Sequence, residues 1–204
     1  MNWPSAPAGR GTRVRHLLTG WRGLSVILIV VLAAQMGARA TTEHHLQAIP
    51  PDAKPTFALS ALDGATHGLQ QQAGRLVLVH FFATWCEPCR EELSSLSRLA
   101  QQAGLEQVSI LAINVAEVPA RVRRFVESTP VAFPVLLDSD RTVTKAWGVH
   151  ALPTTYVLDR NLAPRLLVEG DLDWTKEDVV AALGRVAGDA NNNDSKRFNR
   201  EDSK

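Results

Sequence analysis

The sequence predicts an α/β fold in which a central mixed β-sheet is flanked by helices and preceded by an N-terminal β-hairpin extension. The first observation is the run Leu76–Phe82, which is almost continuously apolar, as expected of a central strand covered on both faces. The second is that such runs alternate with segments of helical spacing, which is typical of α/β proteins. The third is a terminal hairpin before a final helix, which makes part of the sheet antiparallel.

The first predicted elements are a short hairpin, the central strand and a long helix. Phe57–Leu59 leads to the turn dipeptide Asp63–Gly64, which predicts the hairpin. The central strand Leu76–Phe82 is followed by a predicted helix over Pro88–Ala103, with leucines at helical spacing.

The middle of the chain predicts one more buried strand and two helices. Val108–Val115 is apolar enough for a strand covered on both faces, and Ala120–Glu127 has a helical pattern. Asp140–Trp147 predicts a short helix with Val143 and Ala146 facing inward.

The carboxy-terminal part predicts two strands and a last helix. Thr154–Leu158 and Arg165–Glu169 have strand character. Thr175, with Asp178 three residues later, predicts a cap for the last helix. The apolar positions of that helix are Val179, Val180, Leu183 and Val186.

The amino terminus has the three parts of an export signal. Four arginines precede a short uncharged apolar run, Leu24–Ala34, and Ala38–Ala40 offers small residues for a signal peptidase. The run is shorter than the about 20 residues of a spanning helix, which slightly favours a cleaved signal over a membrane tether through residues 24–38. In both cases the positive charge before the run places the following domain outside the cytoplasm.

The chain therefore divides into four predicted regions. Residues 1–40 form a signal peptide or membrane anchor, 41–55 a proline-containing linker, 56–188 the folded domain and 189–204 a disordered polar tail. The formal net charge of +1 indicates no nucleic-acid partner.

The chain has only two cysteines, Cys86 and Cys89, and they lie where the central strand gives way to the long helix. A bridge across so short a loop removes little unfolded-state entropy, so the pair is predicted to be chemically active. The unpaired N–H groups and the dipole of a helix N-terminus stabilise a thiolate, which predicts a pKa of Cys86 below the free value of about 8.5. Cys86 is then the attacking thiol, and Cys89 resolves the mixed disulfide. Pro88 suits the first helical turn.

Metal binding remains an alternative for a cysteine pair. A zinc site needs two further ligands, and the sequence has no second pair, so no metal site is predicted. A Cu(I) chaperone that uses Cys86 and Cys89 as soft ligands stays open, as does a dithiol oxidant of folding proteins.

Three segments resemble the thioredoxin superfamily and, within it, the exported ResA/TlpA/CcmG-like group. They are Leu59–Gly64, Val79–Glu92 and Gly148–Thr155, and the resemblance extends from Pro51 to Gly188. It implies a thioredoxin-like fold and a thiol–disulfide oxidoreductase whose redox group is the Cys86–Cys89 disulfide, with no bound cofactor.

The resemblance also implies a cellular role. Substrates would be disulfides of exported proteins in the periplasm or at the outer face of the cytoplasmic membrane, either apocytochrome c or copper-centre assembly proteins. A thiol-reducing membrane electron donor would recharge the enzyme. A peroxidase would need a threonine three residues before the attacking cysteine, and this chain has Ala83 there and Thr84 one place late.

Further site residues follow from the resemblance. Pro153 matches the family's cis-proline beside the cysteines, and Trp85 matches an aromatic residue that shields them. The predicted substrate-binding residues are Trp85, Glu87, Pro88, Leu152, Pro153 and Thr154.

Two predicted catalytic residues could exchange a proton with Cys89. Glu92 matches an acidic residue of the ResA branch; without the resemblance, a solvated helix residue is the simpler interpretation. His80 departs from the family, where an aspartate or asparagine stands. It is either a proton acceptor for Cys89 or a hydrogen-bonded core residue, and burial would lower its pKa.

Overall fold

The computed structural model describes residues 46–52, 54–103 and 108–188. The predicted export signal, the first part of the linker and the polar tail lie outside these residues. Within the described ranges, no helix has both the length and the apolar character needed to cross a membrane.

The described residues form a six-stranded mixed sheet and a separate hairpin. The sheet order is β1-β8-β7-β4-β5-β6, where β4 is parallel to β5, β5 is parallel to β6, and the other neighbours are antiparallel. The hairpin is formed by β2 and β3. The strands are β1 Gln47–Ala48, β2 Ala58–Ser60, β3 Thr66–Gly68, β4 Leu76–Phe82, β5 Val108–Val115, β6 Val135–Asp138, β7 Thr154–Leu158 and β8 Pro164–Glu169.

Within the described ranges, four helices accompany the sheet, together with a 3-10 turn at Leu69–Gln72. They are α1 Glu87–Ala103, α2 Pro119–Ser128, α3 Thr142–Ala146 and α4, residues 177–188. The predicted α/β fold with a thioredoxin-like mixed sheet and an N-terminal hairpin is confirmed.

Strand β4 is central because both of its faces are apolar. All seven residues are buried. Leu78 and Phe82 belong to the core that includes α1, whereas Val79 and Phe81 belong to the core on the opposite face. This alternation divides a single apolar run between two cores, one on each face of the sheet.

Two strands were not predicted. Val135–Asp138 forms β6 at the sheet edge; its four residues follow a proline and are too few to show a period. Gln47–Ala48 pairs with Leu166 and Leu167 of β8, so this part of the predicted linker lies on the sheet.

One inward position and one cap were predicted wrongly. Ala146 is exposed, and the inward residue at the end of α3 is Trp147. Val180 is exposed because its neighbour Val179 occupies the buried face of α4. The Thr175 hydroxyl donates to Asp173 and does not cap α4.

Candidate redox site

Cys86 and Cys89 lie at the junction predicted from the sequence, after β4 and at the start of α1. They form a disulfide with their Cα atoms 5.3 Å apart. Cys86 is 6% exposed and Cys89 is fully buried, so Cys86 is the sulfur that a partner reaches more readily. The backbone N–H of Cys89 donates to Cys86 Sγ at 3.3 Å. This first-turn N–H would stabilise a Cys86 thiolate in the reduced enzyme.

A buried carboxylate fixes the turn before the disulfide. Glu117, which is 6% exposed, accepts hydrogen bonds from the backbone N–H and the hydroxyl of Thr84, both at 2.6 Å. It also accepts one from the Asn114 side-chain amide at 2.7 Å. The segment after β5 is thereby tied to the segment after β4, two residues before Cys86.

The cis bond of Leu152–Pro153 is in agreement with the family's cis-proline. Since Phe81 pairs with Thr154 in the β4–β7 ladder, Pro153 lies next to Phe82, at the sheet edge from which the cysteine loop emerges. Thr154 is buried, and its hydroxyl donates to the Ala151 carbonyl at 2.9 Å. The Pro153 carbonyl accepts a hydrogen bond from the Gly170 N–H at 2.8 Å.

A groove of about 370 Å³ runs along this edge. Its walls include Trp85 and Leu152, which were predicted to bind substrate, and also Arg141 and His150. Trp85 is 69% exposed, so it forms a rim of the groove rather than part of the core. The remaining groove residues are Val115, Ala116, Thr144, Val149 and Ala151.

The outer surface of the cysteine loop is formed by Glu87 and Pro88, both exposed. Glu87 pairs with Arg90 at 3.0 Å, and the Arg90 guanidinium also lies 5.9 Å from the centre of the Phe125 ring. Arg90, the cationic side chain nearest in sequence to the disulfide, is therefore already paired with other groups.

Behind the disulfide, four polar side chains meet in the apolar core between the sheet and α1. Trp174 Nε1–H donates to Glu92 Oε1 at 2.6 Å, and the Thr155 hydroxyl donates to the same oxygen at 3.3 Å. His80 Nδ1 lies 2.9 Å from Thr155 Oγ1. His80 and Thr155 are fully buried and Glu92 is 2% exposed, so the interpretation of Glu92 as a solvated residue is wrong.

Burial changes the protonation of both ionisable groups in this cluster. Burial is the largest cause of the pKa of about 8 for Glu92; the Trp174 and Thr155 hydrogen bonds lower it, and the charge of Asp171 adds a smaller increase. Burial lowers the pKa of His80 to about 3. Although the two groups lie 3.8 Å apart, both are neutral near pH 7, and their contact is not an ion pair.

Residues 50–163 match the AhpC/TSA family. The chain belongs to the AhpC/TSA family. It is 36% identical over 165 residues to the thiol-disulfide oxidoreductase ResA of Geobacillus thermodenitrificans, an alignment that covers 79% of this chain and 93% of the relative. It is also 37% identical over 105 residues to ResA of Bacillus subtilis, covering 52% of this chain and 59% of that protein.

Solved structures show the same fold. A Chlorobium tepidum protein assigned as the thiol:disulfide interchange protein DsbE matches with a TM-score of 0.61 and 26% identity, over 67% of this chain and 99% of that one. An exposed lipoprotein thioredoxin of Streptococcus pneumoniae matches with a TM-score of 0.57 and 22% identity, over 64% and 99%. The chain is thus a thioredoxin-like thiol–disulfide oxidoreductase of the ResA/DsbE type, with a cysteine pair.

Sequence reasoning missed two important residues of this AhpC/TSA member. Glu117 follows β5, the strand next to β4, and polar residues after adjacent parallel strands meet at one sheet edge; this signal could have identified it. Trp174 lies 82 positions from Glu92, and no local pattern indicates that contact.

Proposed function

We propose that this enzyme reduces disulfides of exported proteins outside the cytoplasm, with Cys86 as the nucleophile, Cys89 as the resolving thiol and Glu92 as the group that exchanges a proton with Cys89. The observation that carries the proposal is the position of the buried Glu92 one helical turn after the buried Cys89, where burial raises the pKa of Glu92 to about 8. Side chains three positions apart share a helix face.

This environment supports the reducing direction. A dithiol is a strong oxidant when its thiolate is well stabilised, as in DsbA-type enzymes. Here Cys89 is fully buried, which disfavours its thiolate. The neighbouring Arg90 is engaged with Glu87. Within the described residues, the reduced form therefore gains electrostatic stabilisation at Cys86 alone, from the first-turn N–H, and the buried Cys89 favours the donation of electrons.

The proposed reaction balances as two thiol–disulfide exchanges. The Cys86 thiolate attacks one sulfur of the substrate disulfide, a Cys86–substrate bond forms, and the other substrate sulfur leaves as a thiolate. Cys89 loses its proton to the ionised form of Glu92 and attacks Cys86 Sγ, which releases the second substrate thiolate. The substrate gains two electrons, and the enzyme becomes the Cys86–Cys89 disulfide.

Recharging reverses these bonds with electrons from a dithiol donor. A donor thiolate attacks Cys86 Sγ, and Cys89 leaves as a thiolate that protonated Glu92 neutralises. The second thiolate of the donor then attacks the donor sulfur bonded to Cys86, which releases Cys86 as a thiolate and leaves the donor as a disulfide. With a pKa of about 8, Glu92 can both give and take a proton near neutral pH.

The substrate class and cellular place in this proposal are supported by the sequence. The Cys86–Cys89 segment is similar to the ResA group, which points to apocytochrome c or a copper-centre assembly protein. The basic and apolar residues before the domain support export, with a tether through residues 24–38 as the alternative to cleavage. A thiol-reducing membrane donor would supply the electrons.

Trapping tests this proposal. A Cys89→Ser variant expressed in the parent cell should accumulate a mixed disulfide between Cys86 and an exported protein of one of these two classes. The matched Cys86→Ser variant should accumulate none. Trapping only with proteins of other classes would contradict the substrate assignment, and a complete lack of mixed disulfides would contradict reduction through Cys86.

A further inference from the structure

The cluster behind the disulfide contains a histidine that the proposed exchange does not use. His80 of β4 pairs with Thr155 of β7 in the antiparallel ladder, and both side chains reach Glu92 on α1. The surroundings are apolar: Leu78 and Phe82 lie on the same face of β4, and the His80 ring stacks on the Phe82 ring at 6.0 Å between centres. A polar group in such a core is costly unless it is hydrogen-bonded.

The direction of the hydrogen bonds follows from counting hydrogens. Glu92 Oε1 receives the Trp174 N–H at 2.6 Å and the Thr155 hydroxyl at 3.3 Å. A hydroxyl has only one hydrogen, so with Thr155 donating to Glu92 we assign its Oγ1 as the acceptor at the 2.9 Å contact with His80 Nδ1, where the tautomer of His80 sets the direction. The reverse direction would require the carboxylic proton on Oε1, the oxygen that the Trp174 N–H already approaches closely.

This direction defines the tautomer of His80 and the reactive oxygen of Glu92. His80 carries its proton on Nδ1, so Nε2 holds a lone pair. Within the part of the chain that the structure describes, His80 Nε2 and Glu92 Oε2 are buried atoms without hydrogen-bond partners. With Oε1 held by two donors, Oε2 is the oxygen that carries the proton of the neutral acid.

The geometry of α1 directs the Glu92 side chain towards the end of the helix that carries the disulfide. Side chains of an α-helix lean towards its N-terminus, and Cys89 lies one turn before Glu92 on the same face. Cys89 is therefore the residue on the same helix face towards which the Glu92 side chain leans.

We propose that His80, acting through Thr155, is a positioning residue that orients Glu92 and stabilises its carboxylate form, so that Glu92 can take a proton as well as give one. The inference rests on the proposed role of Glu92 and deepens it. The groups that face Glu92 are His80 and Thr155 from the sheet, Trp174 and Asp171 from the segment before α4, and Cys89 from its own helix. Asp171 opposes the ionisation of Glu92, whereas the hydrogen bonds that run from His80 through Thr155 favour it.

Titration of Glu92 in the disulfide form of the full chain tests this relay. Neither cysteine titrates in that form, so a carboxyl carbon signal that titrates near pH 8 and is lost in Glu92→Gln belongs to Glu92. His80→Phe keeps a flat ring but removes the donor. It should raise the titration midpoint by about 0.3 pH unit, because the Thr155 hydrogen bond to the carboxylate loses its polarisation by His80. His67→Phe, the same change in the hairpin, should leave the midpoint unchanged.

Changes at Thr155 separate a relay from a general packing effect. Thr155→Val should raise the midpoint at least as much as His80→Phe, and Thr155→Ser, which keeps the hydroxyl, should restore it. In the Thr155→Val background, His80→Phe should add no further shift, because the connection is already broken.

Three results would overturn the inference: an unchanged midpoint in His80→Phe, additive shifts in the double variant, or equal shifts in Thr155→Ser and Thr155→Val. If His80→Phe does not fold, the two Thr155 variants still decide between the outcomes. The titration uses neither substrate nor electron donor, so its result is independent of the trapping experiment that tests the proposed function.

Discussion

Replacing Glu92 by glutamine removes a carboxyl group that the folded protein protonates far more readily than the unfolded chain does. Its pKa moves from 4.5 to about 8 on folding. Between these two values the folded state holds a proton that the unfolded state has lost, so the free energy of unfolding falls as the pH rises. Each pH unit corresponds to about 1.4 kcal/mol, and the whole interval to roughly 5 kcal/mol.

His80 changes the free energy of unfolding with pH in the opposite direction, and over a different pH interval. Its pKa moves from 6.5 to about 3, so stability is lost as the pH falls below 6.5 and the unfolded chain takes up a proton. The two contributions cancel between pH 4.5 and 6.5. Above pH 6.5 only that of Glu92 remains, and the wild type should lose about 2 kcal/mol on going to pH 8 through this group.

Urea denaturation of the disulfide-intact protein at several pH values between 4 and 9 measures how steeply the free energy of unfolding changes with pH. Glutamine leaves a new buried donor unpaired, which lowers stability by a similar amount at every pH. The slope is therefore the diagnostic quantity. The free energy of unfolding of the wild type minus that of Glu92→Gln should fall by about 1.4 kcal/mol per pH unit from pH 4.5 to pH 8. Glu91→Gln, an exposed neighbour on α1, should give a flat difference, and a flat difference for Glu92→Gln would refute the argument.

Three further substitutions test other parts of the structure. Glu117→Ala leaves three donors of Thr84 and Asn114 without an acceptor; urea denaturation should show a loss of about 3 kcal/mol, and insulin reduction should slow, whereas unchanged stability would contradict the network. Asp159→Ala removes an acceptor for two backbone N–H groups and a guanidinium far from the disulfide; it should cost about 2 kcal/mol with the reduction rate per folded molecule unchanged. Trp85→Ala should change stability by less than about 0.5 kcal/mol because the side chain is 69% exposed, yet it should raise the KM for a protein disulfide and not for a small one; equal effects on both would exclude a docking role.

The elements that the sequence predicted well are those with a long or repeated pattern. Leu76–Phe82 is buried on both faces, which requires a continuous apolar run, and the helical leucines after Pro88 follow one face of α1. The edge strands β1 and β6 were not predicted because they have only two and four residues. Strands this short show no period, and they are defined by their partners.

The residues of the site also fall into those with a local sequence signal and those that depend on distant partners. Cys86 and Cys89 could be placed because their chemistry depends on a local feature, the strand-to-helix junction. The burial of Glu92 could not, since it depends on Trp174 and Thr155, 82 and 63 positions away. For His80 the sequence left a proton acceptor and a core residue open; the structure shows that it is a buried, hydrogen-bonded residue.

The reduction potential of the Cys86–Cys89 pair tests the central claim most directly. Equilibration of the full chain with thiol redox buffers of known potential, followed by quantification of free thiols, gives the value. A reductant with a weakly stabilised dithiol should lie well below about −200 mV. A value near about −120 mV, typical of a dithiol oxidant, would contradict the proposed direction of electron flow.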